Sequence, residues 1–135
     1  MNEPDLKSLN ELVPFAAALG MELLEATPEL VLSRLQWTPE RCTVGGVMHG
    51  GALMALADNG GGVCAFLNLP EGAVGTATIE SKTNFMRAVR EGAVTASSRP
   101  LHLGRTMVVV ETELVRDDGK LAAKVTQTQA FHYRR

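Results

Sequence analysis

The stretch Gly45-Gly46-Val47-Met48-His49-Gly50-Gly51, continuing into Ala52-Leu53-Met54-Ala55-Leu56-Ala57-Asp58-Asn59-Gly60-Gly61-Gly62-Val63-Cys64-Ala65-Phe66-Leu67-Asn68-Leu69, decides the fold. A glycine loop leads into the run Gly51 to Leu69, which has the length of a helix. On that helix Ala52, Leu53, Met54, Ala55, Leu56, Ala57, Val63, Cys64, Ala65, Phe66 and Leu67 cover nearly all sides, the pattern of a buried helix rather than a surface one. One carboxylate, Asp58, sits at its centre. Burying an unpaired carboxylate costs several kcal/mol or drives its pKa upward, so this placement predicts a chemical use. Gly60, Gly61 and Gly62 each cost roughly 1 kcal/mol of helix propensity relative to alanine, which predicts a helix or strand backbone packed close against them.

Outward from this helix the pattern changes. Asp5 to Leu19 has a helical rhythm broken by Pro14 and stopped by Gly20, fitting one short helix or two half-helices. Met21 to Glu25 and Leu30 to Trp37 flank Thr27-Pro28 and read as a hairpin, and Thr38 to Met48 reads as a loop. Beyond Pro70-Glu71-Gly72 the chain turns to β structure. Thr76 to Phe85 alternates, with Ala77, Ile79, Ser81, Thr83 and Phe85 on one face and Thr76, Thr78, Glu80, Lys82 and Asn84 on the other. Gly92 to Ser98, Met107 to Val115 and Leu121 to Tyr133 follow as strands, the last two joined across Asp117-Asp118-Gly119. The expected class is therefore α+β, one antiparallel sheet wrapping a long central helix.

At 135 residues the chain forms a single domain, residues 1–135, whose function comes from one site or from a site shared between copies. Its 45% hydrophobic and 21% charged residues fit an ordinary globular protein, and a net charge of −2 argues against a nucleic-acid partner. The start Met1-Asn2-Glu3-Pro4-Asp5 lacks the basic opening of a signal peptide, and no apolar run reaches the roughly 20 residues of a bilayer span. The expectation is a cytoplasmic protein without a membrane partner. Cys42 and Cys64 show no CxxC spacing, and His49, His102 and His132 show no ligand spacing, so no metal is expected.

Gly46, His49-Gly50-Gly51 and Leu56-Ala57-Asp58 together match the signature of a known family: a glycine-containing loop, then His-Gly-Gly, then a helix bearing Leu-Ala-Asp. The chain resembles the hotdog fold, specifically the phenylacetate-type acyl-CoA thioesterases. Thr78-Ile79-Glu80-Ser81-Lys82-Thr83-Asn84-Phe85-Met86-Arg87 and Gly104-Arg105-Thr106 extend the similarity over almost the whole chain. One departure is Thr43, where the family commonly carries an asparagine that contacts the thioester or the attacking water. Thr78 falls where the family carries a serine or threonine near the nucleophile. The resemblance implies a homodimer with interfacial sites, often doubled into a homotetramer, acting on an acyl-CoA whose coenzyme A belongs to the substrate; no separate cofactor is expected.

Hydrolysing a thioester needs a group that activates water or attacks the carbonyl carbon, and donors aimed at the oxygen that becomes negative. Asp58 suits the first task, as base or nucleophile. Gly50 and Gly51, at the start of a helix, suit the second, because the first N–H groups there have no intrahelical partner. Eight residues of helix put Gly50 and Asp58 about 12 Å apart, too far for both to touch one carbonyl. Two copies with antiparallel central helices would bring the Asp58 of one to the Gly50 of the other. The catalytic candidates are Asp58, Gly50, His49 and Thr78, with His49 otherwise bracing the loop by hydrogen bonding. Thr43, Gly51 and Asn59 are candidate substrate contacts, and Lys82, Arg87 and Arg105, ahead of Arg90 and Arg99, are candidate phosphate ligands for coenzyme A. A non-catalytic acyl-CoA sensor or carrier is the alternative function. A hotdog hydratase ranks below both, since its usual histidine pairings are missing.

Overall fold

A computed structural model describes the backbone of residues 1–135 and every side chain except that of Pro4. Two short helices, α1 (Glu3–Glu11) and α2 (Pro14–Leu19), precede a hairpin of β1 (Glu22–Ala26) and β2 (Val31–Gln36). The central helix α3 (Gly50–Leu67) follows, and then β3 (Ala73–Phe85), β4 (Ala93–Leu103), β5 (Met107–Arg116) and β6 (Leu121–Tyr133) complete the chain. All strand pairs are antiparallel, in the order β1-β2-β4-β5-β6-β3. The six strands wrap α3, which packs on every one of them. This is the hotdog arrangement.

The core between helix and sheet is made by Leu53, Leu56 and Ala57 of α3 against Leu35, Val94, Leu114 and Val125, with Val63 and Cys64 against Val31, Val108, Val110 and Phe131 further along. Burial in this apolar layer pushes the Cys64 thiol up to about 11. The helix is nonetheless open on one side. Gly51, Met54, Asp58 and Phe66, spaced three, four and eight residues apart, form an exposed stripe. The expectation of a helix enclosed on all sides, with Asp58 buried, is therefore corrected: the carboxylate lies at the middle of an exposed, partly apolar face. An interface stripe and a core stripe have the same hydrophobicity, so composition alone merges them.

The glycines of α3 also differ from expectation, because side chains rather than a backbone lie against them. A Cβ at Gly60 would stand 2.7 Å from Ser98 Oγ, and one at Gly61 would strike the Gln127 amide, whereas Gly62 faces open space. Buried Ser33, Ser98, Thr112, Gln127 and Gln129 form a polar seam on the sheet beneath these two glycines.

Strand β4 runs past the expected end at Ser98 through Pro100. Its neighbour β2 stops pairing at Ser98, so Pro100 sits where β4 has one free edge and its missing N–H breaks no ladder. A more consequential difference is in β3. Thr78 pairs with Gln129 and Glu80 with Thr128, leaving Ile79 as an extra, bulged residue. The bulge switches parity: Thr76, Thr78, Ser81, Thr83 and Phe85 share the face toward α3, while Lys82 lies on the opposite face. Straight alternation assigned Thr78 and Phe85 to different faces.

Candidate active site

The loop before α3 is folded back on itself. Cys42 bridges Met48, the Thr43 N–H donates to the Val47 carbonyl at 2.8 Å, and Gly45 and Gly46 take φ values of +84° and +74° to make the reversal. Trp37 Nε1 and Arg90 donate to the Gly46 and Gly45 carbonyls, fixing the tip. The helix start is anchored in turn by Met48 N–H on the Val89 carbonyl and His49 N–H on the Arg41 carbonyl, both 2.8 Å.

His49 is the N-cap of α3, and its Nδ1 accepts from the Gly51 N–H at 2.7 Å. That bond divides the two glycines expected to act together. Gly51 has spent its N–H on His49, which corrects its place as a second donor; the Gly50 N–H has no acceptor among the described residues and points out of a helix start. Gly50 lines a cavity of about 330 Å³ with Thr43, Val47, Phe85 and Arg87. Arg87 is steadied there by donating to the Leu121 carbonyl at 2.9 Å.

Asp58 lies elsewhere, in a cleft of about 100 Å³ with Asn59, Ala55, Val13, Phe15 and Met21. Its Oδ1 accepts from the Thr78 hydroxyl at 2.7 Å. Thr78 in turn accepts from Gln129 Nε2 at 2.6 Å; the same nitrogen donates to Gln127 Oε1 at 2.6 Å, and Gln127 Nε2 donates to the Ala57 carbonyl at 3.1 Å. Thr76 completes Gln129 by donating to its Oε1 at 3.1 Å. A hydrogen-bonded chain thus starts and ends on adjacent residues of α3.

The structure joins Thr43 to Gly50, and Thr78 and Asn59 to Asp58, and keeps these two groups in separate cavities of one chain. His49 and Gly51 belong to a third, of about 240 Å³, between α2 and the start of α3. Lys82 faces away from α3, and Arg105 stands in the β4–β5 turn, at the end of the sheet opposite Phe85 and Arg87. Gln127 and Gln129 were not anticipated from the sequence. The available signal was parity, since both fall in step with Val125 and Phe131 on the buried face of β6.

Comparisons with known proteins bear on the family and the fold. The thioesterase superfamily model matches residues 45–123, which include the loop, α3 and β3 to β5. A thioesterase from Haemophilus influenzae superposes with a TM-score of 0.88 at 28% identity, over 95% of this chain and 90% of its own. The phenylacetic acid degradation protein PaaI of Thermus thermophilus gives 0.79 at 26% identity, over 89% and 99%. The 1,4-dihydroxy-2-naphthoyl-CoA hydrolase of Escherichia coli is 35% identical over 86 residues, 64% of this chain and 62% of that one. On the family match and the loop-helix-sheet architecture that it covers, the chain belongs to the thioesterase superfamily.

Proposed function

We propose that the protein hydrolyses acyl-CoA or aroyl-CoA thioesters as a homodimer, at two equivalent sites that each take the Gly50 N–H from one copy and Asp58 from the other. The observation that carries this reading is the division of the machinery. The free donor and the oriented carboxylate line different cavities, roughly 12 Å apart along one helix, while a thioester carbonyl spans about 1.2 Å. Two exposed features favour pairing. The edge strand β3 is 13 residues long and leaves Val74, Ile79 and Phe85 more than half exposed, and the stripe of Met54, Asp58 and Phe66 on α3 lies uncovered beside it. An antiparallel second copy would cover both and turn one donor toward the other carboxylate.

In the reaction, water adds to the carbonyl carbon as Asp58 takes its proton, the carbonyl oxygen becomes negative against the Gly50 N–H, and the carbon–sulfur bond then breaks to release CoA thiolate and acid. Direct attack by Asp58 would instead break the carbon–sulfur bond, release CoA thiolate and leave a mixed anhydride, which water cleaves to the free acid and the Asp58 carboxylate. Heavy oxygen from solvent water enters the Asp58 side chain in a single turnover only in the second course. Thr43 lines the same cavity as Gly50 and takes the role of contacting the carbonyl or the water in this reading. Arg87 and Arg90, at the same end, suit the phosphates of coenzyme A. A cytoplasmic location is part of this reading, and pairing of two dimers into a tetramer is a further arrangement that the open outer face of the sheet permits. A carrier without hydrolysis is favoured by no feature of the site.

The test is complementation. Asp58→Asn removes the reacting carboxylate. Gly50→Pro removes the donor at the first helical position; His49 already has the φ −60°, ψ 133° that a following proline requires, and the half-exposed Phe85 ring, 3.1 Å from the new Cβ, has only to shift by a few tenths of an ångström. Each variant alone is expected to lose at least two orders of magnitude in kcat. Re-associated in equal amounts, half of the pairs are mixed and each mixed pair holds one intact site, so about a quarter of the wild-type activity returns. No recovery from subunits shown to exchange would refute the shared site.

A further inference from the structure

Resting on the reading of Asp58 as the reacting carboxylate, we propose that Gln129 is a positioning residue that, with Gln127, fixes the direction of the Thr78 hydroxyl proton toward Asp58. A hydroxyl has one proton and rotates freely, so a threonine beside a carboxylate is not committed to donating to it. Here the commitment comes from a backbone group. The Ala57 carbonyl can only accept, so Gln127 must turn Nε2 to it and Oε1 away. That Oε1 can only accept, so Gln129 must present Nε2, which donates at the same time to Thr78 Oγ1. Thr76 holds the other end of the amide by donating to Gln129 Oε1. With Oγ1 accepting from Gln129, the Thr78 proton goes to Asp58 Oδ1. Both glutamines are buried, so water does not compete for these bonds, and bonds in series polarise one another.

The consequence is chemical. With its proton committed to Oδ1, Thr78 holds the carboxylate in one direction, the condition for Asp58 to meet the water proton or the carbonyl carbon it acts on. Among the described residues Asp58 is the sole charged side chain lining its cleft, so no second carboxylate stands in for it there.

The experiment measures kcat and KM separately on a hydrolysed acyl-CoA for wild type, Thr78→Val, Gln129→Met and the double variant. Removing the donor in Thr78→Val should lower kcat about tenfold with KM unchanged. Gln129→Met, which leaves Thr78 in place, should lower kcat about fivefold, again with KM unchanged. Since Gln129 acts through Thr78, the double variant should match Thr78→Val alone. If Gln129→Met does not fold, Gln127→Met, which keeps Gln129 but removes the acceptor that orients it, should lower kcat in the same way with KM unchanged. An unchanged kcat, or losses that multiply in the double variant, would overturn the inference. Asp58→Asn separates the two levels: full activity there refutes the underlying reading, whereas an inactive Asp58→Asn beside an unchanged kcat in Gln129→Met refutes only the positioning role.

Discussion

Replacing Gly61 by alanine pits a local preference against a packed contact, and the structure says which wins. In an isolated helix the change adds about 1 kcal/mol of stability. Here the new methyl lands on the Gln127 amide, with Oε1 only 2.8 Å away and Cδ and Nε2 closer still. Gln127 is 1% exposed, so its amide has nowhere to retreat without leaving the Ala57 carbonyl and Gln129. Losing a buried hydrogen bond and overpacking the seam cost about 3 kcal/mol together, so the net change is a loss of about 2 kcal/mol. With an unfolding entropy near 2.1 cal/mol/K for each of 135 residues, about 0.28 kcal/mol/K in all, the midpoint should fall by about 7 °C. Differential scanning calorimetry at one fixed protein concentration reads this directly, which matters if unfolding is coupled to dissociation. Catalysis should fall as well, with kcat lowered at unchanged KM as in Gln129→Met. An alanine variant as stable as wild type would refute the argument that Gln127 dictates glycine at this position.

Other expectations follow from the same geometry. His49→Ala removes the cap on Gly51, so the midpoint should drop by about 3–4 °C, from a loss of about 1 kcal/mol, while kcat falls far less than in Asp58→Asn; a kcat as low as that of Asp58→Asn would show instead that the imidazole moves protons. Arg87→Ala should raise KM for acyl-CoA by about tenfold and leave hydrolysis of a short thioester lacking the nucleotide unchanged, measured by steady-state kinetics on both substrates. Cys64 supplies a pH test. Its thiol is held up to about 11 in the folded protein, whereas in the unfolded chain it ionises near its ordinary value, so the folded state keeps a proton that the unfolded state gives up. Stability from this group is complete below about pH 8.5 and is lost as pH rises through about 11. Wild type should therefore lose more stability than Cys64→Ala across that interval, by up to about 3 kcal/mol in denaturant titrations, and parallel curves would contradict it.

The element order, the hairpin, the length of α3 and the position of its start were legible because they depend on local signals: glycine and proline punctuation, period, and the His-Gly-Gly step into an apolar run. The burial of Asp58 was not. A sequence shows that residues 52–57 and 63–67 are apolar, but it does not show whether the apolar surface faces its own sheet or a second copy, and here Met54 and Phe66 face outward at 42% and 49% exposure. The proposal that Asp58 is used chemically rests instead on the oriented hydroxyl of Thr78 and not on a desolvated charge. Gly51 was misjudged for a related reason, since which of two adjacent N–H groups is free depends on the rotamer of His49, a property with no trace in residue order.

The bulge at Ile79 explains why the seam under α3 was invisible to alternation. Seven residues separate Thr78 from Phe85, an odd number, so a regular strand would present them on opposite faces. The extra residue makes the count of pleats even, and one strand then serves both the start and the middle of the helix: Phe85 lies over Gly50, where an added Cβ would stand 3.1 Å from its ring, and Thr78 reaches Asp58. The same insertion leaves Ile79 unpaired and 61% exposed at the centre of the free edge. A residue that aims the hydroxyl inward therefore also sets the shape of the surface that a second copy would meet, which ties the orientation of the carboxylate to the geometry of pairing through a single backbone irregularity.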